Sequence, residues 1–384
     1  MNNPGVASPF KAPVQELLQS ADIQIEGSRP WDIQVTNIGF YGRVIRELAL
    51  GLGESYMDGW WDCEHLDQFF YRLLSANLQE KAGKNKKMIA FNLLSRLTNL
   101  QTPPRLRKSV GVSYERGVEL YAAFLDPFYQ YSCAYFKNTD DLATAQKQKM
   151  DLICRKLRLE ASDQVLDIGC GWGGLAKFIA EKVGCKVTGI NIAQEQIAFA
   201  RDFCRGTNVE ILELDYRNLL QEEFQKKFNK IVSVGMIEHV GYKNHRVYMQ
   251  AVNNCLKHDG MFLLQTIGSN ISAKAADKNL WIEKYIFPNA IVPSIPQLAS
   301  ASEGLFIIDD IHSFGSYYDL TLMAWANNFE NNWANLRSHY DERFHRMWRY
   351  FLLSCAGAMR AGYNQLWQIV FRKIGTQGLY EPER

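Results

Sequence analysis

The chain has 384 residues, 47% of them hydrophobic, and its 43 basic side chains nearly balance 41 acidic ones. This composition is typical of a globular protein and excludes a disordered one. The length suits one large domain with a smaller companion.

The N-terminal stretch, the length of the apolar runs and the spacing of the cysteines bear on cellular location and on metal binding. The opening stretch MNNPGVASPFKAPVQ lacks the apolar core of a secretory signal, and no apolar run approaches the roughly 20 residues that span a bilayer. The eight cysteines form no C-x-x-C pair and no His/Cys cluster at zinc spacing. We therefore expect a cytoplasmic protein with reduced thiols and no metal site.

A basic segment follows the first part of the chain. Between Lys81 and Tyr114 there are eight basic residues and no acidic one. Such a segment suits a solvated linker, a patch for anionic membrane surfaces or a nucleic-acid contact. Nucleic acid is disfavoured because no recognised nucleic-acid module accompanies the segment.

A domain boundary is predicted inside this basic segment. Pro103 and Pro104 interrupt any helix that arrives from the preceding residues. The sequence therefore predicts a small N-terminal domain over 1–104 and a second domain over 105–384.

After residue 140 the pattern becomes regular. Apolar positions at helical spacing predict a helix in DDLATAQKQKMDLICRKLRL. The stretches that follow alternate between strand and helix: QVLDI, GGLAKFIAEKV, CKVTGI, AQEQIAFARDFCR and VEILEL. This alternation predicts an α/β fold with a parallel, doubly wound sheet.

The turn after the first of these strands is rich in glycine. In LDIGCGWGG the glycines are Gly169, Gly171 and Gly173, which let the backbone approach a ligand closely. The spacing differs from the dinucleotide fingerprint G-x-G-x-x-G. With Asp167 two residues before the first glycine, the turn resembles motif I of class I S-adenosylmethionine (SAM) methyltransferases. The alternative is a structural turn that binds no ligand.

This resemblance implies a Rossmann-like methyltransferase fold and a set of cofactor residues. Asp167 would organise the loop and meet the amino group of the methionine moiety. Asn191, where many relatives carry an acid, and Gln196 would offer neutral hydrogen bonds to the ribose. Asp215 and Tyr216, in LDYRN, would lie near the adenine.

Further stretches narrow the family. GLGESYMDGWW (51–61), YQYSCAYF (129–136), VGMIEHVG (234–241), LMAWANNFENNW (322–333) and YFLLSCAGAMRAGYNQLWQIVF (350–371) are in the order found in cyclopropane-fatty-acid synthases. The similarity covers roughly residues 40 to 373. It implies that SAM donates a methyl group to a cis double bond of a phospholipid acyl chain. It also implies a small N-terminal domain, a homodimer and peripheral contact with a bilayer.

The same resemblance implies a second set of site residues. Glu238, Tyr318 in SYYDLTL and Cys133 match the family residues around a bound bicarbonate, which removes a proton from the methylated, carbocation-like chain. Cys355 lies among small residues near the C-terminus that leave room for an acyl chain or for close helix packing, and the resemblance implies that it lies in the wall of the acyl pocket. Tyr131 and Ser132 are expected beside SAM, whereas His239 is expected to be structural.

The sequence departs from the family at two places. Gln265, in LLQTIGS, stands where the family has a histidine, and an amide cannot carry a positive charge or relay a proton. Ser113, Glu115 and Val118 stand at changed positions of a segment that helps to enclose SAM. Two alternatives therefore stay open: a methyltransferase that leaves methyl or methylene branches, or a lipid- or SAM-binding relative without catalysis.

The segment WIEKYIFPNAIVPSIPQLA (281–299) lies between the predicted fifth and sixth strands of the sheet. Its three prolines and the apolar Phe287, Ile291 and Val292 predict a stiff, apolar lid over the substrate.

Overall fold

The computed structural model describes residues 8–76, 117–272 and 279–384. The chain divides into two compact units. One contains the described residues of 1–99, 274–287 and 322–363, and the other contains those of 100–273, 288–321 and 364–384. The predicted boundary after residue 104 and the basic segment lie outside the described residues, so the predicted division into domains stays a prediction.

Helices and strands follow one another along the chain from the N-terminal end. They are α1 (Lys11–Gln19), β1 (Gln34–Val35), α2 (Gly39–Met57), β2 (Trp61–Asp62), α3 (Leu66–Ser75), α4 (Val118–Phe124), α5 (Leu142–Leu157), β3 (Gln164–Ile168), α6 (Gly174–Val183), β4 (Lys186–Asn191), α7 (Gln194–Phe203), β5 (Val209–Glu213), β6 (Phe228–Val234), α8 (His245–Cys255), β7 (Leu256–Ser269), α9 (Leu280–Tyr285), α10 (Ile295–Ser302), β8 (Phe306–Ser313), α11 (Ser316–Leu336), α12 (Glu342–Arg360) and β9 (Asn364–Lys373). Short 3₁₀ turns cover Tyr216–Leu220, Glu222–Phe224, Ile237–His239 and Tyr242–Asn244.

The first unit is mainly helical and has an aromatic core. Trp61 has no exposed surface and contacts Tyr56 edge to face, with 5.1 Å between the ring centroids. A buried carboxylate, Glu54, accepts a hydrogen bond from the Tyr285 hydroxyl at 2.7 Å and pairs with Lys284. Tyr56 and Trp61 are therefore part of a packed core, and neither has exposed surface.

The second unit is built on a seven-stranded sheet with the order β5-β4-β3-β6-β7-β9-β8. The strands from β5 to β7 are parallel, and β9 is antiparallel to both β7 and β8. The predicted α/β, doubly wound fold is confirmed. The chain winds outward from β3 in both directions, and ligands bind at such a switch point beyond the carboxyl ends of the strands.

Both faces of this sheet are covered, which explains the continuous apolar runs of the strands. Leu166 and Ile168 of β3 pack with α8 on one face. Val165 of the same strand packs with α5 and α6 on the other. Successive side chains of a strand point to opposite faces, so β3 is apolar on both sides and its polar group, Asp167, falls near its end.

The first residue of α6 fixes the distance between that helix and the segment that precedes α5. A Cβ at Gly174 would lie 1.7 Å from the Phe128 carbonyl oxygen. We expect Gly174→Ala to destabilise the protein by about 1–3 kcal/mol, because one of the two backbones must move. The measurement is the free energy of unfolding in urea. Gly42→Ala is the matched control, since its added methyl would meet chiefly the movable end of Arg46. Equal stability of both variants would contradict the prediction.

Candidate active site

A cavity opens at the carboxyl ends of β3, β4 and β6 in the second unit. Segments from five places in the chain line it: residues 129–132, 167–172, 190–192, 214–217 and 234–236. Leu175, Gln196, His239 and Val240 complete the lining. Every predicted cofactor residue except Gly173 therefore lies on this one cavity.

The glycine turn has the geometry that its sequence predicts. Gly169, Gly171 and Gly173 have φ values of 82°, 54° and 84°, a region that side-chain-bearing residues rarely adopt. The amides of Gly169 and Cys170 both donate to the Ile190 carbonyl, at 3.0 and 3.1 Å, which ties the turn to β4. No atom lies within 4 Å of a Cβ built at Gly171, so the backbone there is open to a ligand. Gly173 instead caps α6 and packs close to α7.

Asp167 is buried, and it lines the cavity with an unsatisfied oxygen. Its side-chain atom Oδ2 has no hydrogen-bond partner. Burial raises the pKa of this carboxyl to about 7, against the lowering effect of the nearby Lys149. A buried carboxylate oxygen without a partner costs free energy, so the site suits a ligand that brings a positive charge or N–H donors.

The polar residues at or just after the ends of β4 and β5 are hydrogen-bonded to one another in pairs. Asn191 Nδ2 donates to Gln196 Oε1 at 2.9 Å, and its Oδ1 accepts the amide of Ile192 at 2.8 Å. Asp215 accepts two hydrogen bonds from the Arg217 guanidinium, at 2.8 and 2.6 Å. These pairs fix the orientation of the groups that face the cavity. Tyr216 adds an aromatic surface and is itself buried.

The residues predicted to surround a proton-accepting bicarbonate form a second cluster beside the cavity. Gln265 Nε2 donates to the Cys133 carbonyl at 3.4 Å, and Gln265 Oε1 accepts from Gln368 Nε2 at 2.9 Å. Gln265 and Gln368 are cross-strand partners of β7 and β9, which explains the contact. These two hydrogen bonds fix the orientation of the Gln265 side-chain amide. The second hydrogen of its NH₂ group takes part in neither bond.

Glu238 reaches the same cluster through the backbone of β7. Its Oε1 accepts the Ile267 amide at 2.8 Å, and its Oε2 has no hydrogen-bond partner. Ile267 and Tyr318 both pack against the apolar cluster that contains Cys133. Cys133 therefore contacts Gln265 directly and shares an apolar cluster with Tyr318 and Ile267, and the Ile267 amide links Glu238 to that cluster. Ser132 and His239, the chain neighbours of Cys133 and Glu238, line the cavity, so the cluster adjoins it.

This cluster is shielded from solvent. Cys133, Gln265 and Glu238 expose 0%, 1% and 6% of their surfaces. Burial raises the pKa of Glu238 to about 7, and the hydrogen bond that it accepts from the Ile267 amide opposes this rise. Glu238 therefore exchanges its proton near neutral pH, which suits a group that receives or holds a proton.

Cys355 and Val118 are not among the residues that line this cavity. Cys355 is on α12 in the first unit, where burial raises the pKa of its thiol to about 12. Its place in an acyl pocket stays a prediction. Ser113 and Glu115 fall outside the described residues, and Val118 begins α4.

Several lining residues were not among the predicted site residues. Tyr129, Trp172, Arg217, Met236 and His239 all line the cavity. Each is one or two positions from a predicted residue in the sequence. Nearness to a recognised motif was therefore the signal that could have identified these residues. His239 was expected to be structural, yet it lines the cavity. Burial lowers its pKa to about 4, so the imidazole is neutral at physiological pH.

The doubly wound sheet, the open glycine turn and the buried aspartate at its edge define a class I SAM-dependent methyltransferase. The chain belongs to the mycolic acid cyclopropane synthetase family, whose model matches residues 102–369.

Known proteins similar to this chain include an enzyme from Escherichia coli (strain K12), the cyclopropane-fatty-acyl-phospholipid synthase. It is 48% identical over 366 residues, which are 95% of this chain and 94% of that protein. A probable fatty acid methyltransferase of Pseudomonas putida is 35% identical over 71% of each chain. The mycolic acid cyclopropane synthase CmaA1, solved with SAH and CTAB, is 27% identical with a TM-score of 0.63. That match covers 70% of this chain and 98% of the other.

Neither a membrane span nor a metal cluster is found in the described part of the chain. None of the helices in those ranges combines the length and apolar character needed to cross a membrane. No group of three or more histidine, cysteine, aspartate or glutamate side chains there is arranged to hold a metal ion.

Proposed function

We propose that this enzyme transfers a methylene unit from SAM to the cis double bond of an unsaturated phospholipid acyl chain and forms a cyclopropane ring. The observation that carries the proposal is the buried Glu238, with an unpaired oxygen, in a dry cluster next to the cofactor cavity. The 48% sequence identity between this chain and the E. coli cyclopropane-fatty-acyl-phospholipid synthase supports a phospholipid acyl chain as the substrate.

The cofactor would be held by the residues of the cavity. Asp167 offers its unpaired oxygen to the ammonium of the methionine moiety, and the backbone at Gly169 and Gly171 permits close approach. Tyr131 and Ser132 also line the cavity. Asn191 and Gln196 are assigned to the ribose, and Asp215 and Tyr216 to the adenine. SAM, when bound, supplies the methyl group and a good leaving group.

We assign the cluster around Glu238 to a bicarbonate ion. The residues fit this ion, because Glu238 Oε2 can accept its O–H and Gln265 has an N–H to donate. The Cys133 backbone and Tyr318 complete the enclosure. Bicarbonate, when bound, supplies a base. The protein side chains keep water away from the alkylated chain, because water would otherwise add to its carbocation-like centre.

Product analysis tests this function. The purified protein is supplied with SAM and vesicles of unsaturated phospholipid, and the fatty acids are analysed by mass spectrometry and proton NMR. High-field ring protons together with a mass gain of one methylene are expected. No mass gain in protein that binds SAM would mean a relative without catalysis and would overturn the proposal.

A second product is favoured by one feature of the cluster. Gln265 is a neutral amide held on both sides by Gln368 and Cys133, so it cannot assist a proton transfer as an imidazole does. Loss of the proton elsewhere would leave a methyl or methylene branch. Vinylidene or branch-methyl signals in the same experiment would identify this product.

The amide at residue 265 also sets the strength of ion binding. Charge-assisted hydrogen bonds are roughly twice as strong as neutral ones. We expect Gln265→His to lower the bicarbonate concentration for half-maximal turnover, by about fivefold for a gain of about 1 kcal/mol. The effect should grow as the pH falls from 8 to 6, because only the protonated imidazole carries charge.

The control for this prediction is Gln265→Leu, which removes the donor and leaves Gln368 without its acceptor. It should raise the half-maximal bicarbonate concentration. Turnover is measured in carbon-dioxide-depleted buffer with added bicarbonate. If neither variant changes the bicarbonate dependence, the assignment of this ion to the cluster is wrong.

We also propose that the enzyme is cytoplasmic, docks peripherally on the bilayer and acts as a homodimer. The basic segment Lys81–Lys108 would approach anionic lipids. Binding to vesicles of anionic phospholipid in a sedimentation assay should therefore weaken as salt is added. Salt-independent binding would reject this docking mode. Light scattering of the protein as it elutes from a size-exclusion column gives its mass and tests whether it is a dimer.

A further inference from the structure

Helix α5 contains a lysine with no exposed surface. The Nζ atom of Lys149 donates to Gln130 Oε1 at 2.6 Å and to Ser132 Oγ at 2.8 Å. Both partners line the cofactor cavity, whereas Lys149 lies behind them. Lysine is almost never buried without a charged partner, so this position requires an explanation.

The wall that Lys149 holds is tied to α5 at further points. Gln146, one turn before Lys149 on the same face, donates from Nε2 to the carbonyls of Gln130 and Ser132 at 3.2 and 2.9 Å. Asp126 accepts the amide of Gln130 at 2.8 Å. The segment from 126 to 132 is therefore fixed by other hydrogen bonds as well, and its buried Asp126 carboxylate is one partner for the charge of Lys149.

The charge of Lys149 also acts on Asp167. Asp167, on β3, lines the same cavity as Gln130 and Ser132 and has an oxygen without a hydrogen-bond partner, and the positive charge of Lys149 favours its ionised form. We propose that Lys149 is a positioning residue for the amino-acid end of SAM: it orients Gln130 and Ser132 and supplies the positive charge that keeps Asp167 ready for the ligand's ammonium. This inference rests on the assignment of Asp167 to that ammonium made above.

The surroundings of both groups agree with this role. Burial lowers the pKa of Lys149 to about 8, and electrostatic interaction with the carboxylates of Asp126 and Asp167 and with Cys133 opposes that lowering. The Cys170, Cys204 and Tyr248 side chains feel the charge of Asp167, and burial raises the pKa of each above its ordinary value. These groups are neutral near pH 7. Within the described part of the chain, Lys149 is the cation that acts on Asp167.

The consequence is a specific pH dependence of cofactor binding. Ammonium binding requires the ionised Asp167, and the charge of Lys149 keeps the pKa of that carboxyl from rising further. Without the charge, Asp167 stays protonated to higher pH. A shift of one pKa unit changes the equilibrium tenfold, so affinity should be lost mainly on the acidic side of neutrality.

Calorimetric titration with S-adenosylhomocysteine tests the inference, because this ligand carries the amino-acid end and is not turned over. In Lys149→Met, the loss of affinity relative to the parent protein should be about fivefold greater at pH 6.5 than at pH 8.5. Lys149→Arg should keep the parent pH profile. Lys147→Met, which removes an exposed lysine from the same helix, should bind as the parent protein does.

A ligand without the amino-acid end separates positioning from general damage. 5′-Methylthioadenosine should bind Lys149→Met as it binds the parent protein. A pH-independent loss, or an equal loss for 5′-methylthioadenosine, would mean that Lys149 only supports the wall and would overturn the proposal. If the parent protein binds no S-adenosylhomocysteine, the proposed function fails instead.

A second measurement covers the case in which Lys149→Met does not fold. NMR of ¹³C-labelled lysines follows the titration of Lys149 in the intact protein. Asp167→Asn removes a negative charge that raises the pKa of Lys149, so the Lys149 titration should move to lower pH in that variant. An unchanged titration would show that the two groups are uncoupled and would overturn the proposal.

Discussion

Replacement of Glu238 by glutamine is expected to lower turnover by about a hundredfold or more, the range typical for loss of a group that handles a proton. Affinity for S-adenosylhomocysteine should be retained, because Glu238 does not line the cofactor cavity. Glutamine keeps the size of the side chain and can still accept the Ile267 amide, but it has no negative charge to offer to the O–H of an ion. The measurement is the initial rate of fatty-acid methylation on unsaturated vesicles.

The pH profile adds an independent check on this variant. Burial raises the pKa of Glu238 to about 7, and the proposed role needs the ionised form. With SAM at saturating concentration, so that the ionisation of Asp167 does not limit the rate, turnover of the parent protein should therefore rise as the pH increases through 7. The residual turnover of Glu238→Gln under the same conditions should lack that rise.

The stability of this variant should change in the opposite direction to its activity. A carboxyl whose folded pKa lies above its unfolded value destabilises the fold once it is ionised, since the folded state binds more protons than the unfolded state between those two values. Glu238→Gln should therefore unfold at a higher temperature than the parent protein at pH 8. Glu222→Gln, at an exposed position in a 3₁₀ turn, is the control and should change neither property. Parent-like turnover in Glu238→Gln would remove the proton-handling cluster from the mechanism.

The sequence predicts the centre of the sheet well because the strands there are buried on both faces. QVLDI is β3 at the predicted residues, and the next two predicted strands are β4 and β5 within one residue at each end. Continuous apolar runs bounded by glycine and polar residues carry this signal. The antiparallel pairing of β9 with β7 and β8 was not predicted, because the order of strands depends on contacts between distant segments.

The site was predictable in part for a similar reason. Asp167 lies near the end of β3, the glycines follow that strand directly, and Glu238 follows β6, so local pattern and topology place them at one edge. Gln368 and Lys149 carry no such signal. Gln368 reaches Gln265 only because β9 pairs with β7, and a lysine in a helix reads from sequence as a solvated residue. Cys355 lies on α12, and the apolar stripe of that helix does not show which segment of the chain packs against it.

Replacement of Asp167 by asparagine is expected to weaken binding of S-adenosylhomocysteine by about a hundredfold, because truncating one partner of a buried charge pair costs about 2–5 kcal/mol. The parent protein should bind more tightly as the pH rises through 7, where Asp167 ionises. The variant should not show this step. Isothermal titration at pH 6 and pH 8 measures both effects.

The control for this variant is Asp202→Asn on α7, where the side chain is 73% exposed. It should bind the cofactor product as the parent protein does. The two principal variants also test each other, since Asp167→Asn should lose affinity, whereas Glu238→Gln should lose turnover and keep affinity. If both variants lost affinity equally, the cavity and the buried cluster would act as one site, and the separate roles assigned to the two carboxyl groups would be wrong.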